Sequence, residues 1–122
     1  MAKTILVVDD SASLRQVVAI ALRGAGYDVM EACDGRDALS KLNGQKVNLI
    51  ISDVNMPNMD GISMVRELKK NPTYKFTPVI MLTTESQESK KKEGQEAGAR
   101  AWVVKPFQPA QMLAAVAKLV MP

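Results

Sequence analysis

The chain has 122 residues, 47% hydrophobic and 24% charged, the length and balance of one globular domain with room for a proper core. Its net charge of +3 is spread along the chain except at Lys69-Lys70 and Lys90-Lys91-Lys92, and one Trp, two Tyr and two Phe are too few for a base-stacking platform, which argues against a nucleic-acid partner. No apolar run approaches the ~20 residues of a membrane span, the lack of histidine excludes His-type zinc sites and Ser-His-Asp triads, and a single Cys33 permits no internal disulfide, which suits a reducing cytoplasm.

Thr4 to Val8 is an apolar, β-branched strand, entered directly from Met1-Ala2-Lys3 without a signal-peptide pattern. A helix is predicted from Ser13, where Ser13 and Gln16 fit a capping box and Leu14, Val17, Val18, Ala21 and Leu22 share one face, until Gly24 and Gly26 stop it. Tyr27 to Ala32 reads as the second strand and Gly35 to Leu42 as the second helix, turning Ala38, Leu39 and Leu42 inward and ending at Asn43-Gly44. Val47 to Ser52 is the third strand. After a loop at Pro57 to Gly61, Ile62, Val65 and Leu68 mark a third helix that stops before Pro72.

Pro78 opens a fourth strand, and residues 86 to 97 read as a helix with Thr84 and Gln87 as its capping box. That helix has no large apolar residue, so it is expected to be loosely held, either as a solvated outer helix or as a partner surface. Arg100 to Val104 is the fifth strand. Pro109 suits the first position of a last helix striped by Met112, Leu113, Val116, Leu119 and Val120.

Five strands alternating with five helices predict an α/β fold, a doubly wound parallel sheet in a three-layer α/β/α arrangement. Right-handed crossovers bring all strand C-termini to one edge, where open sheets bind ligands. Asp9, Asp10, Asp53, Thr83 and Lys105 therefore converge despite their separation in sequence. Taken singly, each has a duller role: a turn former, a helix cap or a surface charge. Together they form a hard-oxygen site suited to Mg²⁺, to which the loop Val54-Asn55-Met56-Pro57 can add a backbone carbonyl. A cation, a lysine and a hydroxyl around a carboxylate make an electrostatic clamp for a phosphoryl group, and Asp53, on the middle strand, is the best candidate for a carboxylate nucleophile.

These residues resemble those of the receiver domain of two-component response regulators, most closely the stand-alone CheY-type chemotaxis regulators. The similarity runs through Ile5-Leu-Val-Val-Asp-Asp10, Ser52-Asp-Val-Asn-Met-Pro57, Met59-Asp-Gly61, Leu82-Thr83 and Val104-Lys-Pro-Phe107. It implies one receiver domain over residues 1–122 with the flavodoxin-like strand order 2-1-3-4-5. It further implies that Asp53 is the phosphoacceptor, that Asp9, Asp10, Asp53 and the Asn55 carbonyl hold one Mg²⁺, and that Thr83 and Lys105 contact the phosphoryl oxygens. Asn55 and Glu85 would be the positions that set phosphate lifetime, Lys105-Pro106 a cis peptide, and Thr83 with Trp102 the switch pair. Trp102 departs from the Tyr or Phe usual there, and Val54 from the Trp of the best-known chemotaxis member.

The function so implied is a cytoplasmic, monomeric phosphoprotein switch rather than an enzyme, one that catalyses only its own phosphorylation and dephosphorylation. Its donor would be a CheA-type sensor histidine kinase and its output partner a FliM-type flagellar motor-switch protein, with a phosphatase as a further partner. The alternatives are a single-domain phosphorelay intermediate or phosphate sink, and a receiver belonging to a longer regulator. A true phosphohydrolase would need a cap domain for which 122 residues leave no room.

Overall fold

The computed structural model describes residues 2–83, 88–105 and 108–120, those at 88–90 by their backbone alone. Strands and helices alternate as β1 (Thr4–Val8), α1 (Ala12–Gly24), β2 (Asp28–Ala32), α2 (Gly35–Leu42), β3 (Leu49–Asp53), α3 (Gly61–Lys70), β4 (Val79–Thr83), α4 (Glu88–Ala97), β5 (Ala101–Val104) and α5 (Pro109–Leu119). All strand pairings are parallel, in the order β2-β1-β3-β4-β5. This is the flavodoxin-like order that the resemblance implied.

Side-chain alternation along the strands divides the core in two. Ile5, Val7, Leu49, Ile51, Ile80, Leu82 and Val103 face α1 and α5, where Val18, Leu22, Met112 and Val116 cover them. Leu6, Val8, Ile50, Val79 and Met81 face the other way, under Ala38 and Leu42 of α2 and Met64, Val65 and Leu68 of α3. Burial on both faces explains why these strands read as unbroken apolar runs. Among the described residues, no helix is long and apolar enough to cross a membrane.

Local departures from the predicted elements have physical causes. Ser11, not Ser13, caps α1, its hydroxyl accepting the Leu14 N–H at 3.3 Å, so the helix starts at Ala12. Val17 lies outside the apolar stripe with 53% exposure, and Ala19 takes a buried position instead, because α1 docks on the sheet through the face of Val18, Ala19 and Leu22. Val47 and Asn48 are buried, but β3 begins only at Leu49, because the Asn48 backbone and side chain both bond to Thr4 at the strand entry. Asn43 ends α2 in the left-handed region, with Gly44 following at φ 85°. Pro109 is the first residue of α5, as expected.

The polar helix α4 has a firmer seat than its composition suggests. Gly94 is buried, and Ala97, Ala99 and Trp102 pack on the core beneath α2 and α3. The expected capping box at Thr84 and Gln87 lies outside the described residues.

Candidate functional site

One step past the last β1–β3 pairing, Val8 with Ser52, Asp9 and Asp53 project from neighbouring strand ends on the same face of the sheet. Carboxylate oxygens of Asp9, Asp10 and Asp53 lie within 4.8 Å of one another. Asp9 is buried, Asp53 half-buried and Asp10 exposed, so the cluster opens to solvent on the Asp10 side. Lys105 reaches in from the end of β5, its Nζ 3.5 Å from Asp9 Oδ2 and 3.5 Å from Asp53 Oδ1. Its side chain is only 12% exposed, which makes it a counter-charge of the site and not a surface lysine.

Backbone contacts aim these groups. The Asp9 N–H donates to the Ala32 carbonyl at 3.1 Å, and its Oδ1 accepts the Ser11 N–H at 2.9 Å. Asp53 Oδ1 accepts the N–H of Val54 at 2.8 Å. The Lys105 N–H donates to the Thr83 carbonyl at 2.6 Å, which links the lysine strand end to the hydroxyl strand end. Thr83 is buried, on the same face of the sheet as Met81. Met81 pairs with Trp102, so Thr83 and Trp102 are diagonal neighbours on that face.

Burial pushes the Asp53 carboxyl above the usual carboxylate range. Lys105 opposes this, the Asp9 charge adds to the rise, the Val54 N–H lowers it, and Asp10 contributes a smaller rise. A carboxylate raised by burial and by its acidic neighbours gains from any cation placed among them. Three carboxylates with no nitrogen or sulfur donor fit a hard, oxygen-seeking ion such as Mg²⁺. The donor set therefore suits the metal expected from the sequence.

Other residues support the site: Gly61 and Met59 belong to the Met59-Asp-Gly61 motif, which assigns them no role, and no motif points to Asn58 or Asp34. Gly61 opens α3 directly behind Asp53: a Cβ there would collide with the Asp53 carbonyl oxygen and stand 2.7 Å from Met81 Cε. The loop that carries Asn55 is pinned to the start of α2. Asn58 Nδ2 donates to the buried Asp34 carboxylate at 2.8 Å, and the Gly35 N–H donates to the Met59 carbonyl at 3.0 Å. Asn58 takes a positive φ of 66°, which asparagine tolerates better than most residues. Asn55 itself is exposed on that loop. Glu85 and the Lys105-Pro106 peptide lie outside the described residues.

The family model of the response regulator receiver domain matches residues 5–117. The phosphate regulon transcriptional regulatory protein PhoB of Pseudomonas aeruginosa is 39% identical over 112 residues, covering 92% of this chain and 49% of that protein. The chain spans about half the length of the first curated relatives it matches, 49%, 45% and 48% of them. The chemotaxis protein CheY4 of Vibrio cholerae superposes with a TM-score of 0.94 at 46% identity, covering 98% of this chain and 100% of that one. The receiver domain of the sensor histidine kinase PA1611 of Pseudomonas aeruginosa, solved with a magnesium ion coordinated in its active-site cleft, superposes with a TM-score of 0.90 at 27% identity, with 98% of each chain covered.

Proposed function

The chain belongs to the response regulator receiver domain family of two-component signalling, and from that premise we propose that it is a phosphorylation-activated switch whose phosphoacceptor is Asp53. The observation that carries this reading is the meeting of Asp9, Asp10 and Asp53 within 4.8 Å, beside a lysine 3.5 Å from two of them. Residues 1–122 then act as one receiver domain.

An Asp53 carboxylate oxygen attacks the phosphorus of a phosphohistidine on a sensor kinase. The P–N bond breaks, the imidazole leaves with the electron pair, and the phosphoryl group remains on Asp53 as an acyl phosphate. Asp9, Asp10, Asp53 and the Asn55 carbonyl would hold Mg²⁺, which when bound neutralises charge on the transferring phosphoryl oxygens. The magnesium ion in the PA1611 receiver supports that choice. Lys105 already pairs with two carboxylates and can pivot to a phosphoryl oxygen, while the Val54 N–H goes on holding Asp53 Oδ1, the oxygen that the lysine now shares with it. The Thr83 hydroxyl donates to the same phosphoryl group.

Signalling is a population shift between two packings. Drawing Thr83 toward the phosphate frees space on the face it shares with Trp102, and the indole moves into it. Because Trp102 lies against Gly94, that movement alters how α4 is seated. The output is then read by a partner protein at the α4–β5–α5 face. Similarity to CheY4 over nearly the whole of both chains favours a chemotaxis role in the cytoplasm, with a CheA-type kinase as donor and a FliM-type motor-switch protein as partner. The PhoB relationship favours a second reading, a receiver that governs a transcription regulator.

Incubation with acetyl phosphate and Mg²⁺ tests the chemistry. The wild type should gain the mass of one phosphate and D53N none; a gain that survives in D53N unchanged removes Asp53 from its role. Binding to a motor-switch N-terminal peptide that tightens on phosphorylation supports the chemotaxis reading, and binding indifferent to phosphate counts against it.

A further inference from the structure

We propose that Arg15 is a positioning residue for the metal-holding turn, acting through the backbone of Asp9. The inference rests on the reading of Asp9 as part of that metal site. Arg15 lies on the first turns of α1 and its guanidinium points back over the β1–α1 connection. Its Nη1 donates to the Asp9 carbonyl oxygen at 2.7 Å. Its Nε donates to Glu31 Oε1 at 3.1 Å, and Arg23 holds the second oxygen of the same carboxylate at 3.5 Å. Glu31 stands on β2, opposite Val7 in the sheet register, so the brace ties the turn to a strand outside the site.

The site needs such a brace. Asp9 is buried and shares a space of 4.8 Å with two further carboxylates, so repulsion pushes the β1–α1 turn away from Asp53. With its N–H bonded to Ala32 and its carbonyl to Arg15, the Asp9 peptide is clamped on both sides, and its side chain must project toward Asp10 and Asp53. Glu31 neutralises the guanidinium and orients its fork. A lysine would offer a single point of charge on a flexible stem in place of the rigid fork, so it would hold these two acceptors less firmly.

The expected signature is a loss of metal affinity without a loss of chemistry. Partners that orient a metal ligand are worth roughly 10–100-fold in affinity. Arg15 acts through the main chain and not on the ligating oxygen, so R15A should raise the Mg²⁺ dissociation constant about tenfold, the low end of that range. The constant is read from amide NMR shifts of residues 9–11 and 53–55 during a Mg²⁺ titration of folded protein. The rate of labelling by acetyl phosphate at saturating Mg²⁺ should stay within about twofold of wild type, and R15K should lie between the two. E31Q should weaken Mg²⁺ binding in the same direction and add nothing to R15A, as expected of groups acting in one chain. An unchanged dissociation constant in R15A, or a fallen plateau rate at unchanged affinity, overturns the proposal. Wild-type protein that shows no Mg²⁺-dependent shifts overturns the metal-site reading itself, and the role of Arg15 with it.

Discussion

Gly94 lies against the benzene ring of Trp102, so close that a Cβ at position 94 would stand 2.7 Å from Cζ3 of the indole. A hydrogen at position 94 is what lets the ring lie flush under α4. The indole Nε1–H is buried and has no hydrogen-bond partner among the described residues, a cost of roughly 1–3 kcal/mol for such a donor. This packing of the ring is therefore held by apolar contact alone, which suits the exchange between two positions proposed for it.

G94A should displace the indole and loosen the seat of α4. Overpacking costs about 1–3 kcal/mol and the better helix propensity of alanine returns about 1 kcal/mol, for a net loss near 1 kcal/mol. Urea unfolding measures the loss, and the emission of Trp102, the only tryptophan of the chain, should shift to the red. Higher stability with unchanged emission would show that the ring does not depend on Gly94.

Gly61 presents a harder case, because the atom in the way is main chain. A Cβ there meets the Asp53 carbonyl oxygen, which cannot rotate aside as a side chain can. G61A should therefore cost about 3 kcal/mol, the upper end of overpacking effects. Labelling by acetyl phosphate should fall with it, since relief of the collision moves Asp53. A fully stable and fully active G61A would contradict the packing described for the start of α3.

The raised carboxyl of Asp53 sets the sign of a pH effect. A folded-state value above the unfolded one means that the folded protein binds the proton more tightly, so this contribution is present below the unfolded value near 3.8 and is lost as pH rises through the folded value. Without divalent cations, D53N should therefore melt higher than wild type at pH 7, and the gap should close as pH falls toward the unfolded carboxylate range. Thermal melts at several pH values decide it; a gap that widens with acid would reverse the assignment.

Asp34 joins two structural tasks. It caps α2 by accepting the Asp37 N–H at 2.8 Å and pins the loop through Asn58 at 2.8 Å. D34A should cost about 1–2 kcal/mol, typical of a lost N-cap with a second hydrogen bond. N58A should cost less, and the two should be non-additive in a double-mutant cycle of chemical denaturation. Strict additivity would mean that the loop is held by other contacts.

The sequence carried most of the fold. Short apolar, β-branched runs alternating with helical periodicity read as strands of a parallel sheet and their covers, which is why Asp9, Asp53 and Lys105 could be placed at one edge from the primary structure. Capping was less legible. Ser11 and Ser13 both offer a hydroxyl before an apolar stripe, and which one turns toward a free N–H depends on where β1 releases the chain.

The order of the elements, the chemistry gathered at the strand ends and the family are legible in the primary structure, because hydrophobic period and short acidic motifs are local properties. The supports arise only on folding: Arg15 reaching back to the Asp9 carbonyl, Asn58 to Asp34, Gly61 behind Asp53 and Gly94 over Trp102. A glycine or an arginine has no period that announces its partner. Its role arises from a distance of a few ångströms between residues far apart in the chain, and only folding sets that distance.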